Sequence, residues 1–309
     1  MVDQKEKIKV IYVMGSGRSG STLLSIILNT VPNIVSPGEI NNLPRLPQEN
    51  FKCSCGDRVA ECVFWSKVFE RWKKNSGEYA VQSTIDNMNS FENFTSLSVW
   101  VKTLFKASVK SKSLQKHLDG IYDFLNSTLI ESKKTVLVDI SKNPLRAYVM
   151  SLNKNIDLRI IHLVRDGRGM AWSLNKFVKK DVKQRPIWRS ALYWLVLNKM
   201  SNFVRKRAKK TLLLKYEDIV TKPNSTLEKV AEFSGIDVNP MIKSISSELV
   251  QEELHIMAGN ALRKQKSIKL RLDTEWHHKM SRKKQVTFNL IAGRTMKSYG
   301  YQKISQLGS

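Results

Sequence analysis

Four short apolar runs, each ending in glycine or polar residues, frame the chain. Residues 8–14 read Ile-Lys-Val-Ile-Tyr-Val-Met, mostly apolar and rich in β-branched side chains, which predicts a buried strand. Thr135 to Asp139, Leu158 to Val164 and Thr211 to Leu214 repeat the pattern and predict three more. Helical segments fall between them. Leu23 to Leu28 is a short apolar helix directly after a Gly/Ser turn. Residues 64–131 carry helix-like spacing and few glycines (Gly77, Gly120), and predict a helical insertion. Pro186 is placed to start a helix at its first position, and Trp188 to Phe203 is apolar nearly all round, which predicts a buried helix. Pro223 to Ser234 is a further short helix, stopped by Gly235. Residues 30–60, with Pro32, Pro37, Pro44 and Pro47, read as loop-rich. Strands alternating with helices predict an α/β fold. Its central, mainly parallel sheet is flanked by helices on both faces, in a single domain over 1–309. Ligands of such sheets sit at the rim made by the strands' carboxyl ends.

Composition adds a partner class to this frame. The 309 residues hold 52 Lys+Arg against 27 Asp+Glu, a formal net charge of +25. A surplus of this size points to an anionic partner: nucleic acid, a membrane surface, or a phosphate- or sulfate-bearing small molecule. The charge is uneven, with 13 Lys/Arg against 3 Asp/Glu over residues 170–220 and its densest run at 205–210. No apolar run reaches the ~18 residues that cross a bilayer. Residues 1–7 lack an apolar signal core, so a cytoplasmic protein is expected. The three cysteines, Cys53, Cys55 and Cys62, form a Cys-x-Cys-x6-Cys cluster that holds a metal only if a His or Asp joins it. No histidine lies near them in sequence, so no metal ligand is assigned. Reduced structural cysteines or one bridge are expected.

Two segments carry phosphate chemistry. The first, Gly15-Ser-Gly-Arg-Ser-Gly-Ser-Thr22, follows the first strand and opens a helix. Gly15, Gly20 and Thr22 fit the P-loop spacing, but Ser21 stands where the lysine belongs and Arg18 is the loop's fixed cation. Glycines let a backbone wrap a phosphate, and a helix N-terminus adds N–H donors. The second segment, Arg165-Asp-Gly-Arg168 through Ser173, also joins a strand end to a helix. Ser173 lies about two helical turns beyond Arg165, a spacing that lets the guanidinium and the hydroxyl grip one phosphate.

Together these segments resemble the sulfotransferases that use 3′-phosphoadenosine 5′-phosphosulfate (PAPS). Gly15 to Leu23 is similar to that family's 5′-phosphosulfate loop, in the arginine-bearing form of its carbohydrate and tyrosylprotein branches. Val164-Arg-Asp-Gly-Arg168 with Ser173 is similar to its 3′-phosphate motif, with Gly167 in place of the usual proline. Ser36-Pro-Gly-Glu39 resembles the segment that delivers a glutamate base. Asp139-Ile-Ser-Lys-Asn-Pro144 resembles the segment whose lysine meets the transferred group. The cysteine cluster with Phe64-Trp65 looks like a feature of bacterial members. Residues 255–263 resemble a late segment that closes over the nucleotide.

The resemblance implies a P-loop-like three-layer fold and in-line sulfuryl transfer to a hydroxyl without Mg2+. It implies catalytic roles for Arg18, Glu39 and Lys142. It implies donor contacts from Gly15, Ser16, Gly17, Arg18, Ser19, Gly20, Ser21 and Thr22, and from Arg165, Ser173, Tyr216 and Arg263, with Arg263 on the 3′-phosphate. The PAPS acceptor is expected to be a carbohydrate, glycolipid or other small hydroxyl compound, and the basic surface suits an anionic glycan or membrane. Two other readings stand beside it. A P-loop kinase or NTPase has Thr22 and Asp139 as Mg2+ ligands but lacks the phosphate lysine. A nucleic-acid-binding protein rests on charge alone, without a recognised binding module, so nucleic acid is not the expected partner.

Overall fold

The computed structural model describes residues 6–46, 51–176, 184–237, 239–246, 249–250, 254–259, 261–265, 267–268 and 270–302. The chain runs β1 (Ile8–Gly15), α1 (Ser21–Leu28), β2 (Ile34–Gly38), then four helices, α2 (Val63–Ser76), α3 (Glu78–Glu92), α4 (Leu97–Ser108) and α5 (Lys112–Ser132). It continues with β3 (Val136–Lys142), α6 (Pro144–Ser151), β4 (Ile156–Val164), α7 (Gly167–Lys176), α8 (Ile187–Arg205) and β5 (Thr211–Lys215). The last part holds α9 (Tyr216–Thr221), α10 (Pro223–Ser234), α11 (Asn239–Ser246), β6 (Leu249–Val250), β7 (Ser267–Ile268), α12 (Glu275–Lys279) and α13 (Arg282–Ser298). No helix among the described residues is long and apolar enough to cross a membrane.

Five strands form one sheet in the order β2-β3-β1-β4-β5, and every neighbouring pair is parallel. Alternation along β1 splits the core in two. Val10, Tyr12 and Met14 pack with the helices of the 63–132 stretch and α6, whereas Ile11 and Val13 pack with α1 and α10. Both sheet faces are thus covered, as a parallel sheet requires. The strand β2 lies in the stretch read as loop. Its Pro37 and Gly38 obscure it, and both are tolerated because β2 is the sheet's outer strand.

The helix α8 corrects a second expectation. Trp188, Leu192 and Val196, one turn apart, are 48, 46 and 42 % exposed, while Ser190, Asn198 and Ser201 are buried. The buried face is partly polar because it serves the sheet. Asn198 Oδ1 lies 3.0 Å from Nε2 of His162, a fully buried residue of β4. Burial pushes the His162 imidazole down to about 4, with the Asn198 hydrogen bond opposing the shift.

A buried charged network ties the helical stretch to the sheet. Arg146 on α6 donates from Nε to Asp139 on β3 at 2.9 Å and from Nη1 to Glu92 on α3 at 2.8 Å. Glu92 also lies 2.9 Å from His117 on α5. All four side chains are buried. Burial disfavours the Glu92 carboxylate, but Arg146 and His117 outweigh it and hold the group below its ordinary value.

Two stability measurements follow. Removing Glu92 leaves buried Arg146 short of one carboxylate, so Glu92→Ala lowers the unfolding free energy in denaturant titrations by about 3–5 kcal/mol. His162 binds its proton at a lower pH folded than unfolded, so its contribution is complete above the unfolded value of 6.5 and is lost as pH falls towards 4. Over that window the wild type loses about 3 kcal/mol relative to His162→Gln, measured as unfolding free energy against pH.

Candidate active site

The loop after β1 is held open by close packing at its glycines. Gly15 has φ +153°, and a Cβ there would sit 2.2 Å from the Leu163 carbonyl oxygen at the end of β4. Gly20, at φ +93°, faces the Tyr216 ring, which a Cβ would meet at 2.5 Å. Arg18 lies between them in the left-handed region at φ 63°, where a side chain is disfavoured. The Gly17 N–H donates to the Tyr193 hydroxyl at 3.2 Å. The hydroxyls of Ser16 and Ser19 are buried and have no hydrogen-bond partner among the described residues. Buried polar atoms are normally satisfied, so two orphan hydroxyls in one glycine loop mark a place for a ligand's acceptor atoms. Ser21 and Thr22 open α1 at the same spot and are buried. Burial lowers the Arg18 guanidinium from its ordinary value; Glu39 acts against that shift and Arg165 reinforces it.

Glu39 and Lys142 meet beside this loop. Glu39 follows β2, which is stitched inward through Ser36: its hydroxyl donates to the Val138 carbonyl at 2.9 Å and accepts from Ser25 on α1 at 2.7 Å. Lys142 ends β3 at φ 65°, a second side chain in the left-handed region. Its ammonium is ion-paired with Glu39 Oε1 and also donates to the Ile140 carbonyl at 3.3 Å. Asp139 takes no part at the surface. It accepts from the Ser141 N–H at 2.8 Å and from the Ser141 hydroxyl, and so shapes the turn that presents Lys142.

The second phosphate segment touches the first. Arg165 is 6 % exposed and donates from Nη1 to the Arg18 carbonyl at 3.0 Å. Its guanidinium lies over the Tyr216 ring, 4.5 Å from the centroid, so Tyr216 packs between Gly20 and Arg165. The Nη2 group donates to Asp273 at 3.0 Å. Ser173 is buried on α7. Arg168 points elsewhere: it pairs with Asp166 at 2.6 Å and lies over Trp276. Gly167, where the resembling family usually has proline, has no room for a side chain, because a Cβ would come 2.3 Å from the Phe288 ring.

Arg263 carries the expectation of a 3′-phosphate contact. It comes to the Glu39 side, donating to the carbonyls of Gly259 at 3.1 Å and Lys52 at 2.9 Å. The ideal Cβ of Gly259 would lie 3.7 Å from both Arg263 Cδ and Thr22 Oγ1, and 4.0 Å from Glu39 Oε1. The fold also undoes the argument against a metal at the cysteines. His255, 193 residues beyond Cys62, lies with its Nδ1 3.3 Å from that sulfur. Sequence reading missed Asp273 and Tyr193 as neighbours of the loop and of Arg165. Both sit far along the chain, in segments without a local motif.

Solved structures that share this fold include two sulfotransferase domains. The sulfotransferase domain from the Synechococcus PCC 7002 olefin synthase is 19 % identical, with 97 % of each chain covered and a TM-score of 0.57. The sulfotransferase domain from the curacin biosynthetic pathway is 18 % identical, covering 96 % of this chain and 99 % of that one, with a TM-score of 0.50. No curated protein sequence matches. A profile described as the sulfotransferase family matches residues 11–240, which include Arg18, Glu39, Lys142, Arg165 and Ser173. With most of its length matched, and with this sheet and loop beneath it, the chain belongs to the sulfotransferase family and is a transferase.

Proposed function

We propose that this sulfotransferase takes its sulfuryl group from PAPS and passes it to a hydroxyl of a carbohydrate or glycolipid. The observation that carries the reading is the meeting of an anion loop with a Glu–Lys pair at one sheet rim. The loop offers two orphan hydroxyls and Arg18; the pair offers a base and a cation. Loop N–H groups, Arg18 and the Ser16 and Ser19 hydroxyls receive the donor's 5′-phosphate. Arg165, packed against Tyr216, and Ser173 receive the 3′-phosphate, with Asp273 as the partner that Arg165 gives up. Arg263 serves the 5′ side, a role supported by its place beside Gly259, Thr22 and Glu39.

The chemistry follows from charge. In the in-line step the acceptor oxygen forms a bond to sulfur as the bridging S–O bond to phosphate breaks. Negative charge develops on the leaving phosphate, and Arg18 with the loop donors stabilises it there. Lys142 neutralises the sulfuryl oxygens. As it turns to them it releases Glu39, which takes the acceptor's hydroxyl proton. The products are a sulfate ester and adenosine 3′,5′-bisphosphate, so atoms and charge balance without a further reactant.

Transfer of labelled sulfuryl from PAPS to a panel of glycans and lipids tests the reading directly. Adenosine 3′,5′-bisphosphate stabilises the protein against heat more than ATP does; the reverse order would sink the proposal. Arg165→Ala and Ser173→Ala each weaken bisphosphate binding about 10- to 100-fold, the scale of a lost charged hydrogen bond. Glu39→Gln lowers kcat by about 10²- to 10⁴-fold, as expected for a lost general base, and leaves bisphosphate affinity near wild type.

A further inference from the structure

The cysteine cluster lies outside the proposed chemistry, and its geometry asks for another explanation. The ligand atoms of Cys53, Cys55, Cys62 and His255 all lie within 4.8 Å of one another. Cys55 Sγ to Cys62 Sγ is 3.7 Å, and His255 Nδ1 is 3.3 Å from Cys62 Sγ and 3.9 Å from Cys53 Sγ. A tetrahedral zinc with Zn–S of ~2.3 Å and Zn–N of ~2.0–2.1 Å sets its sulfurs about 3.8 Å apart and its sulfur–nitrogen pairs about 3.5 Å apart. These three edges therefore fall within about 0.4 Å of those of a zinc tetrahedron, and the remaining ones stay within 4.8 Å.

The backbone is built to present them. The Gly56 N–H donates to the Cys53 carbonyl at 3.1 Å and the Cys53 N–H to the Asp57 carbonyl at 2.8 Å, closing a tight turn through Gly56 at φ +109°. That turn brings Cys53 and Cys55 to one side. Cys62 caps the start of α2 and approaches from the other. His255 arrives from a remote segment that docks on Ser54. The Ser54 N–H donates to the Ile256 carbonyl at 3.1 Å, and the Ile256 N–H donates to the Ser54 hydroxyl at 2.8 Å. The His255 ring stacks on Phe64 at 5.1 Å and 14°, which fixes its plane with Nδ1 towards the sulfurs.

We infer that Cys53, Cys55, Cys62 and His255 form a structural zinc site that staples the 51–62 loop to residues 254–259. Three thiolates and one imidazole fill all four positions of a tetrahedral ion, which is the closed arrangement of structural rather than catalytic zinc. Thiolate softness favours zinc over magnesium or calcium. A Cys55–Cys62 disulfide is the main rival. It uses two of the four groups and gives no reason for Cys53 and a stacked imidazole to converge on the same point.

The staple bears on the active site, a consequence that rests on the proposed function. Residues 254–259 run beside the end of β2. The Met257 N–H donates to the Pro37 carbonyl at 2.9 Å, and the Glu39 N–H donates to the Ala258 carbonyl at 3.1 Å. Arg263 then reaches back to the Lys52 carbonyl, next to Cys53. Zinc thus holds the wall that fixes the backbone of Glu39.

Metal analysis of the full chain, purified under reducing conditions without a metal-affinity step, decides the matter. One equivalent of zinc per chain is expected. Co2+ in its place gives the intense visible and sulfur-to-metal bands of a tetrahedral thiolate site. Cys62→Ser and His255→Gln both lose the metal. Cys62 is buried and its variant is exposed to misfolding; His255 is only partly buried, so His255→Gln is the decisive variant, checked for intact helical circular dichroism. A reduced chain that takes up no zinc when the ion is supplied overturns the inference. So does an intact Cys55–Cys62 disulfide in freshly isolated protein, or a His255→Gln variant that keeps full-affinity zinc. No nucleotide enters these measurements, so their failure leaves the sulfuryl-transfer reading standing, and failure of PAPS turnover leaves the zinc site standing.

Discussion

Parallel strand direction is the constraint on which the site depends. Strands that all run one way deliver their carboxyl ends to one rim. With the order β2-β3-β1-β4, that rim receives Glu39, Lys142, the glycine loop and Arg165 in succession. Glu39 and Lys142 are 103 residues apart in the chain yet form an ion pair, because β2 and β3 are hydrogen-bonded neighbours. Gathering cations this way carries an electrostatic cost, since like charges in a partly buried place repel. Internal acceptors offset it: Glu39 for Lys142, and Asp273 with the Arg18 carbonyl for Arg165. Under the proposed function, a donor that replaces these partners gains the cations without first having to assemble them.

Local strain fits the same picture. Arg18 and Lys142 are two of the non-glycine residues with positive φ, a conformation that costs about 1–2 kcal/mol each. Such outliers persist only where the surroundings over-determine them. Around Arg18 the surroundings are the Gly15 contact with Leu163 and the Tyr216 ring against Gly20. Around Lys142 they are Asp139, Ser141 and the buried Arg146–Glu92 pair reaching in from α3. The four helices between β2 and β3 thereby do more than cover the sheet. Through Glu92 of α3, held by His117 of α5, two of them brace the Arg146–Asp139 pair beside the turn from which the lysine projects, adding buried charge to apolar contact.

Legibility in the sequence followed the range of the interactions. Elements specified locally were read well. The α10 helix runs from Pro223 to Ser234 with Gly235 at φ 61° behind it, and the glycine loop joins strand to helix where its spacing says it must. Elements specified by remote contacts were not. The β2 strand hides behind Pro37 and Gly38 because its identity comes from pairing with β3. The inner face of α8 looked no different from its outer face because a buried Asn198 is explained only by His162 across the interface. Glu92, Asp273 and His255 are ordinary polar residues until the fold brings them to Arg146, Arg165 and the cysteines. Arg263 is legible as a residue, but its neighbours are not, since only the Gly259 turn shows which side of the loop it joins.

The net charge of +25 divides along the same line. Arg18, Lys142, Arg165 and Arg263 are drawn inward, the last three onto acceptors that include Glu39, Asp273 and the Gly259 carbonyl, so they act at short range. The 205–210 run behaves differently. Lys210 pairs with Asp157 at 2.7 Å and the Arg207 guanidinium covers the Phe203 ring, yet the run as a whole stays at the surface, beyond the end of α8. Exposed charges of this kind contribute little to stability and act through the field they project, over a Debye length of about 8–10 Å at ordinary salt. Such a field raises the encounter rate of any polyanion and cannot by itself choose one. Under the proposed function, selection falls to the rim, where the donor satisfies the loop hydroxyls and Arg165 together, and the surface surplus bears only on its arrival.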